Sequence, residues 1–145
     1  MIQENIPLTQ AITSVERVIY TATANTKGGR DGGTSGTSDG RLEGKLSVPG
    51  TLGTGTNPEQ LFAVCWSACY LSVLKIVAAR MKIKLPPDVA VDAEVDLGTT
   101  AGAYFLQAGL NVTLPGIGRE VAQALVGQSA PGVSLFQSHT ATSLS

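Results

Sequence analysis

Residues 57–84 constrain the fold more than any other part of the 145-residue chain. Asn57 is a favourable N-cap, Pro58 suits the first helical position, and Gln60 stands where a capping box places Glu or Gln. The pattern then continues without a helix breaker until a Pro-Pro pair. Because residues 61–74 are apolar almost all round, the sequence predicts a long helix that is buried on most of its faces.

The residues before this helix predict two strands separated by loops. The stretch "RVIYTATA" (17–24) is rich in β-branched and aromatic residues and predicts a strand, as does "RLEGKLSV" (41–48). Between them, residues 25–40 are so rich in glycine and hydroxyl side chains that we predict a loop, and residues 49–56 predict another. Residues 1–16 predict a loose N-terminal extension.

The residues after the helix predict a hairpin and a second helix. Residues 89–97 and 104–114 each alternate between apolar and polar side chains, which is typical of half-buried strands, and the break between them predicts an antiparallel pair. Residues 118–127 predict a short helix, and a last short strand is predicted near Phe136. The order β-β-α-β-β-α-(β) indicates an α+β fold with a buried helix against antiparallel sheet.

Composition limits the classes of function. The net charge of −1 gives no electrostatic footprint for nucleic acid or an anionic membrane. The longest apolar run, residues 61–74, is shorter than the roughly 20 residues of a membrane helix, and no signal peptide is visible. We therefore expect one domain over residues 17–145, located in the cytoplasm. Only 14% of residues are charged, which favours an oligomer that buries much of its surface.

The two cysteines, Cys65 and Cys69, are the candidate reactive groups. They lie four residues apart, so a helix places them on one face about one turn from each other. Free cysteine also serves as a small buried apolar residue, and that alternative stays open for both. A closed zinc site is hard to build because the only histidine, His139, lies in a polar tail, so no metal is expected.

A reactive thiol needs a cation near it, and the sequence offers Arg30. Cys69 lies about three turns into the helix, where the effect of the helix dipole has faded. Arg30 stands in the glycine-rich stretch "KGGRDGG", whose backbone can approach a buried site closely. Glu59, in the first helical turn, is the carboxylate that would orient this arginine. The alternative for Arg30 is a solvated charge in a loop. The alternative for Glu59 is a carboxylate that only complements the helix dipole.

Four segments in this order closely resemble the organic hydroperoxide resistance proteins of the OsmC/Ohr family, nearer the Ohr branch. They are "YTATANTKGGRDG", "GTNPEQLFA", "SACYLSVLKIVAAR" and "LPGIGREVAQALV". The resemblance implies an intertwined homodimer of the OsmC/Ohr-like fold with active sites at the subunit interface. It also implies a peroxidase of oxidative stress defence, in which Cys69 attacks an organic or fatty-acid hydroperoxide and becomes a sulfenic acid. Arg30 would stabilise the thiolate, Glu59 would hold Arg30, and Tyr20, Phe62, Trp66 and Tyr70 are candidates for apolar pocket walls or plain core.

The resemblance implies no bound cofactor. It does imply an external reductant, either a dithiol of the lipoyl type or another thiol. The chain departs from the family at the second, resolving cysteine of a Cys-Pro pair, where it has Ala130 before Pro131. Cys65, at a position where the family usually has no thiol, is then a candidate resolving residue. Direct reduction by an external thiol is a second outcome. A third is a non-catalytic or redox-sensing protein that binds a small apolar ligand.

Overall fold

The computed structural model describes residues 15–129 and the backbone of residues 138–143. The predicted α+β class is confirmed, with two three-stranded sheets and a long helix. The predicted extension lies almost entirely outside the described residues, so its boundary stays a prediction. The elements in chain order are β1 (Ala24–Lys27), β2 (Thr34–Thr37), β3 (Glu43–Lys45), α1 (Pro58–Arg80), β4 (Ala90–Thr100), β5 (Ala103–Thr113), α2 (Arg119–Ser129) and β6 (Ser138–Ser143).

The start of α1 follows the predicted local chemistry. The backbone of Asn57 is extended, as is usual for an N-cap residue. Its side chain accepts a hydrogen bond from the Gln60 N–H at 2.9 Å, so the predicted N-cap is confirmed. Gln60 does not close a capping box, because its Oε1 instead accepts a hydrogen bond from the Thr56 hydroxyl at 2.8 Å. Pro58 occupies the first turn, where its missing N–H costs no helical hydrogen bond.

The end of α1 differs from the prediction. The helix ends at Arg80 rather than Lys84, because Lys82 adopts a left-handed backbone with φ of 56°. The Ile83 N–H donates to the Ala78 carbonyl at 2.9 Å and the Lys82 N–H donates to the Ala79 carbonyl at 3.2 Å. These two bonds form a Schellman motif, which is usually closed by glycine and here is closed by lysine.

Strands β4 and β5 form the predicted antiparallel hairpin. Ala90 pairs with Thr113 and Thr100 with Ala103, so the hairpin closes through the two residues Ala101 and Gly102, both with positive φ. Strand β6 pairs with β5 in parallel. A parallel neighbour needs a crossover connection, and α2 lies between β5 and β6 in the chain. Phe136 lies outside the described residues, and β6 begins two residues after it.

The hydrophobic core lies between one face of α1, the inner face of β5 and α2. Helix α2 confirms the short helix predicted after the hairpin. Alternate residues of β5 are buried because a strand points successive side chains to opposite faces. The buried residues of this cluster are Trp66, Tyr70, Leu74, Val77, Ala78, Ala108, Leu110, Val112, Leu114, Ala122, Leu125 and Val126.

The N-terminal half corrects two predictions. Strand β2 and all of β1 except Ala24 lie within residues 25–40, which we predicted as a loop. The two strands pair antiparallel, with a 2.7 Å hydrogen bond between the hydroxyls of Thr26 and Ser35. The predicted strand over residues 17–24 is wrong except at its last residue. β-propensity depends on a partner strand, and residues 17–23 have none within the described chain. The second predicted strand shortens to β3.

Outside the core-facing side, α1 carries apolar side chains that are exposed. Val64 is 69% exposed and Ile76 is 53% exposed, and both cysteines are exposed as well. By length and composition α1 could cross a membrane, a test that core helices of soluble proteins also pass, and 28% of its most apolar window is buried. The apolar part of α1 is therefore longer than residues 61–74 indicated, and its length does not exclude a membrane span. Helix α1 packs one face against the sheet and α2, as a core helix does, and its other face is not covered by the described residues.

Candidate functional site

The structure brings together two of the predicted site residues, Arg30 and Glu59. Arg30 lies in the turn between β1 and β2, and its Nη2 donates a hydrogen bond to Oε1 of Glu59 in the first turn of α1. The side chains are 39% and 15% exposed, respectively. Because both side chains are partly shielded, water screens this pair less than it screens a fully exposed one.

The turn that carries Arg30 has a fixed shape that depends on Gly33. The Gly33 N–H donates to the Gly29 carbonyl at 3.1 Å, and the Gly33 carbonyl accepts from the Leu46 N–H at 2.8 Å. A Cβ atom at this position would lie 2.2 Å from the Lys27 carbonyl oxygen, so no larger residue fits without a backbone shift. This close packing holds the turn, and with it the arginine, against the start of α1.

An open cavity of about 640 Å³ lies beside the Arg30–Glu59 pair. Its walls come from the loop before α1, the first two turns of α1 and the inner face of β4. We did not predict these wall residues, although the strict alternation of β4 already indicated which of its side chains face the helix. The apolar lining residues are Val48, Pro49, Ala63, Ala93, Val95 and Leu97.

The predicted pocket residues are placed differently. Trp66 and Tyr70 are 6% and 2% exposed and belong to the hydrophobic core, the alternative that the sequence left open. The Tyr70 hydroxyl donates to the Val126 carbonyl at 3.4 Å. Phe62 is half-buried, with its ring centroid 5.8 Å from that of Trp66. Tyr20 is 77% exposed and lines a separate cavity with Ser38 and Arg41, so it is not brought to the Arg30–Glu59 pair.

Cys65 and Cys69 lie side by side on the exposed face of α1, and both are free thiols. Burial raises the pKa of the Cys65 thiol above its ordinary value, and the charge and hydrogen bonding of the Cys69 sulfur raise it further. Since Cys65 is exposed as a whole residue, the desolvation that raises its pKa is partial. The raised pKa keeps Cys65 protonated at neutral pH, which makes it a poor attacking nucleophile.

The thiols and the ion pair are separated within the chain. An α-helix rises about 1.5 Å per residue, so Glu59 and Cys69 lie roughly 15 Å apart along α1. Within residues 15–129, no hydrogen bond or ion pair joins Arg30 to Cys69. The described residues also contain no group of three or more His, Cys, Asp or Glu side chains that could hold a metal ion. The side chain of His139 is outside the described part of the chain, as are Ala130 and Pro131.

Replacing Cys69 by serine is expected to move the alkylation of Cys65 to lower pH. The substitution removes the Coulombic and hydrogen-bond causes that raise the pKa of Cys65 and leaves only burial. A lower pKa gives more thiolate at each pH below it, and the thiolate is the species that reacts. The measurement is the rate of iodoacetamide labelling at Cys65 against pH, located by fragmentation spectra. An unchanged or higher midpoint in the variant would contradict this coupling.

The comparisons with known proteins agree with one another. The family model described as OsmC-like protein matches residues 50–132. The chain is 42% identical over 119 residues to an organic hydroperoxide resistance protein of Xanthomonas axonopodis pv. citri, covering 79% of this chain and 83% of that protein.

Solved structures give the same result for the fold. An organic hydroperoxide resistance protein OsmC of Legionella pneumophila superposes with a TM-score of 0.77 at 33% identity, over 89% of this chain and 99% of that one. The organic hydroperoxide resistance protein OhrB of Bacillus subtilis gives a TM-score of 0.78 at 28% identity, over 88% and 100% of the two chains.

Proposed function

The chain belongs to the OsmC/Ohr family of organic hydroperoxide resistance proteins, and from this membership we propose that it is a thiol-dependent peroxidase. It reduces organic hydroperoxides to alcohols, with Cys69 as the attacking thiol. The single observation that carries the proposal is the partly buried Arg30–Glu59 ion pair at an apolar cavity beside the helix that bears the thiols.

Each group has a chemical task in this proposal. The Cys69 thiolate attacks one oxygen of the O–O bond, an alcohol leaves, and a sulfenic acid remains on Cys69. Arg30 stabilises negative charge on the thiolate and on the departing oxygen, because its planar guanidinium offers several donors in a fixed fork. Glu59 orients this fork through its ion pair with Arg30.

A homodimer would complete the site. Within one chain the Arg30–Glu59 pair lies at the start of α1 and Cys69 lies about three turns further on, so we propose that the arginine–glutamate pair of a second copy serves Cys69. The exposed apolar face of α1 supports this, because Val64 and Ile76 would be buried by a partner. The unpaired segment before β1, in which Val18 and Ile19 are 69% and 91% exposed, supports it as well.

The cavity supports a preference for apolar substrates. Six of its eleven lining residues are apolar. The organic part of an alkyl or fatty-acid hydroperoxide gains from burial against them, whereas hydrogen peroxide does not. The sulfenic acid formed on Cys69 must be reduced from outside in each cycle. We propose that a dithiol of the lipoyl type or another cytoplasmic thiol supplies these electrons.

The test is hydroperoxide turnover by the reduced protein. Wild-type protein is mixed with cumene hydroperoxide and excess dihydrolipoamide, and loss of peroxide is followed over time. We expect repeated turnover by wild type and the protein-free rate for Cys69→Ser. If Cys69→Ser turns over like wild type, Cys69 is not the attacking thiol. If wild type itself consumes no hydroperoxide, the non-catalytic alternative, binding of a small apolar ligand, replaces the proposal.

A further inference from the structure

We infer that Cys65 is the resolving thiol for Cys69, and that the turn of α1 between them opens so that both sulfurs join in one intrahelical disulfide. This inference rests on the proposed function, since it needs the sulfenic acid on Cys69. The chain contains only two cysteines, so any disulfide within one chain joins these two. Both lie on the same face of α1, one helical turn apart.

The geometry of a regular helix allows this disulfide only in part. Residues four apart in a helix have Cα atoms about 6 Å apart, inside the range of roughly 4.4–6.8 Å seen in disulfides. Their Cβ atoms, however, are about 5–6 Å apart, whereas a disulfide needs roughly 3.5–4.5 Å. The turn between Cys65 and Cys69 must therefore contract or unwind before the bond can close.

Two serine hydroxyls donate to backbone carbonyls of α1 in and beside this turn. The Ser67 hydroxyl, between the two cysteines, donates to the carbonyl of Ala63 at 2.8 Å and to that of Val64 at 3.2 Å. The Ser72 hydroxyl donates in the same way to the carbonyl of Ala68 at 3.1 Å. Such back-bonding competes with the helical N–H groups for the same carbonyls and bends helices. In a helix the carbonyls of Ala63 and Val64 accept from the N–H groups of residues 67 and 68, so the Ser67 back-bond shares backbone bonds of the turn that must open.

The ionisation of Cys65 supports the order of the two steps. Burial raises the pKa of the Cys65 thiol most, and the negative charge of a Cys69 thiolate raises it further. Oxidation turns Cys69 into a neutral sulfenic acid, which removes this charge. Cys65 then ionises more readily, and the sulfur of the Cys69 sulfenic acid beside it is the electrophile that its thiolate attacks.

The two steps balance as follows. In the first, the Cys69 thiolate, one proton and the hydroperoxide give the Cys69 sulfenic acid and an alcohol. In the second, the Cys65 thiol and the sulfenic acid give the disulfide and one water molecule. The hydroperoxide accepts two electrons and the two thiols supply them, so no further oxidant is needed. Without the second step, the sulfenic acid stays open to further oxidation.

The first experiment is the intact mass of the reduced protein after one equivalent of cumene hydroperoxide. We expect the loss of two hydrogen atoms, located in the tryptic peptide 46–75 that contains both cysteines. Cys65→Ser is expected to gain oxygen instead, because its sulfenic acid has no partner. A gain of oxygen by wild type, or a covalent dimer, would overturn the inference and leave the peroxidase in place. No change in mass of wild type would instead remove the proposed function.

A second variant tests the opening of the turn. Ser67→Ala removes the back-bond, and alanine is the better helix former, so we expect disulfide closure to slow about twofold to threefold. The readout is the share of over-oxidised Cys69 at rising hydroperoxide concentration, which increases when closure is slower. Ser38→Ala, an exposed serine outside α1, is the matched control and keeps the wild-type share. An equal share in Ser67→Ala would show that the back-bond has no part in the closure.

Discussion

Arg30→Met is expected to slow the oxidation of Cys69 by an organic hydroperoxide by roughly 10²–10³-fold, the usual effect of removing one preorganised donor from a developing negative charge. Methionine keeps much of the length and apolar volume of the side chain but supplies no donor. The partly shielded position of Arg30 against Glu59 makes its charge effective, because water screens it less than it screens a surface charge. The measurement is the second-order rate of thiol loss after rapid mixing of reduced protein with hydroperoxide.

Arg41→Met is the matched control for this substitution. Arg41 is also a loop arginine with a carboxylate partner, Asp39 at 3.6 Å, but its side chain is 89% exposed. Its pair is therefore a surface pair of little energetic weight. We expect Arg41→Met to react at the wild-type rate. An equal fall in both variants would mean that general charge, rather than the placement of Arg30, sets the rate.

Leu74→Ala is expected to lower the free energy of unfolding by about 2–5 kcal/mol, the range for leucine truncation in a packed core. Leu74 is fully buried in the cluster that joins α1, β5 and α2, so the lost methyl groups leave a cavity. The measurement is urea unfolding followed by circular dichroism, at one protein concentration, because a dimer makes the midpoint concentration-dependent.

Val121→Ala provides the contrast on α2. Val121 is 43% exposed, so its truncation removes few buried contacts, and we expect a change within about 0.5 kcal/mol. The same large loss in both variants would contradict the placement of the core between α1 and α2. A small loss in Leu74→Ala would mean that the site collapses around the missing atoms.

The parts of the fold that follow from local chemistry could be predicted from the sequence. The start of α1 depends on one side chain and one backbone N–H three residues away, and Asn57 supplies that contact as expected. The end of α1 was placed too late because residues 81–84 include good helix formers and no glycine. The helix ends because Lys82 adopts the left-handed backbone, which costs energy for a residue other than glycine. No local sequence pattern predicts a lysine at this position.

The N-terminal sheet could not be predicted because its strands depend on distant pairing. Residues 25–40 have the composition of a loop, yet the ladder between β1 and β2 holds them extended. Residues 17–23 have the composition of a strand, yet no described part of the chain pairs with them as a strand. Strand formation depends on the partner strand as much as on propensity. Composition therefore predicted the strand in residues 17–24 and the loop in residues 25–40, where the structure has strands.

The contact between Arg30 and Glu59 was indicated by the sequence, whereas the walls of the cavity beside it were not. Arg30, Glu59 and Cys69 carry chemistry that the sequence and its resemblance to a family indicated. The cavity walls are aliphatic residues such as Val48 and Val95, whose type gives no sign of a site. Trp66 and Tyr70 looked suitable for a pocket because they are large and apolar. For the same reason they fill the core.

The most direct test of the peroxidase mechanism is a titration of fully reduced protein with cumene hydroperoxide in the absence of any reductant. Remaining hydroperoxide and remaining free thiols are counted after denaturation at each point. We predict that one equivalent of hydroperoxide is consumed per chain and that both thiols disappear together. Loss of one thiol would retain Cys69 as the attacking group and remove the resolving role of Cys65. Persistence of both thiols and of the hydroperoxide would contradict the proposed reaction.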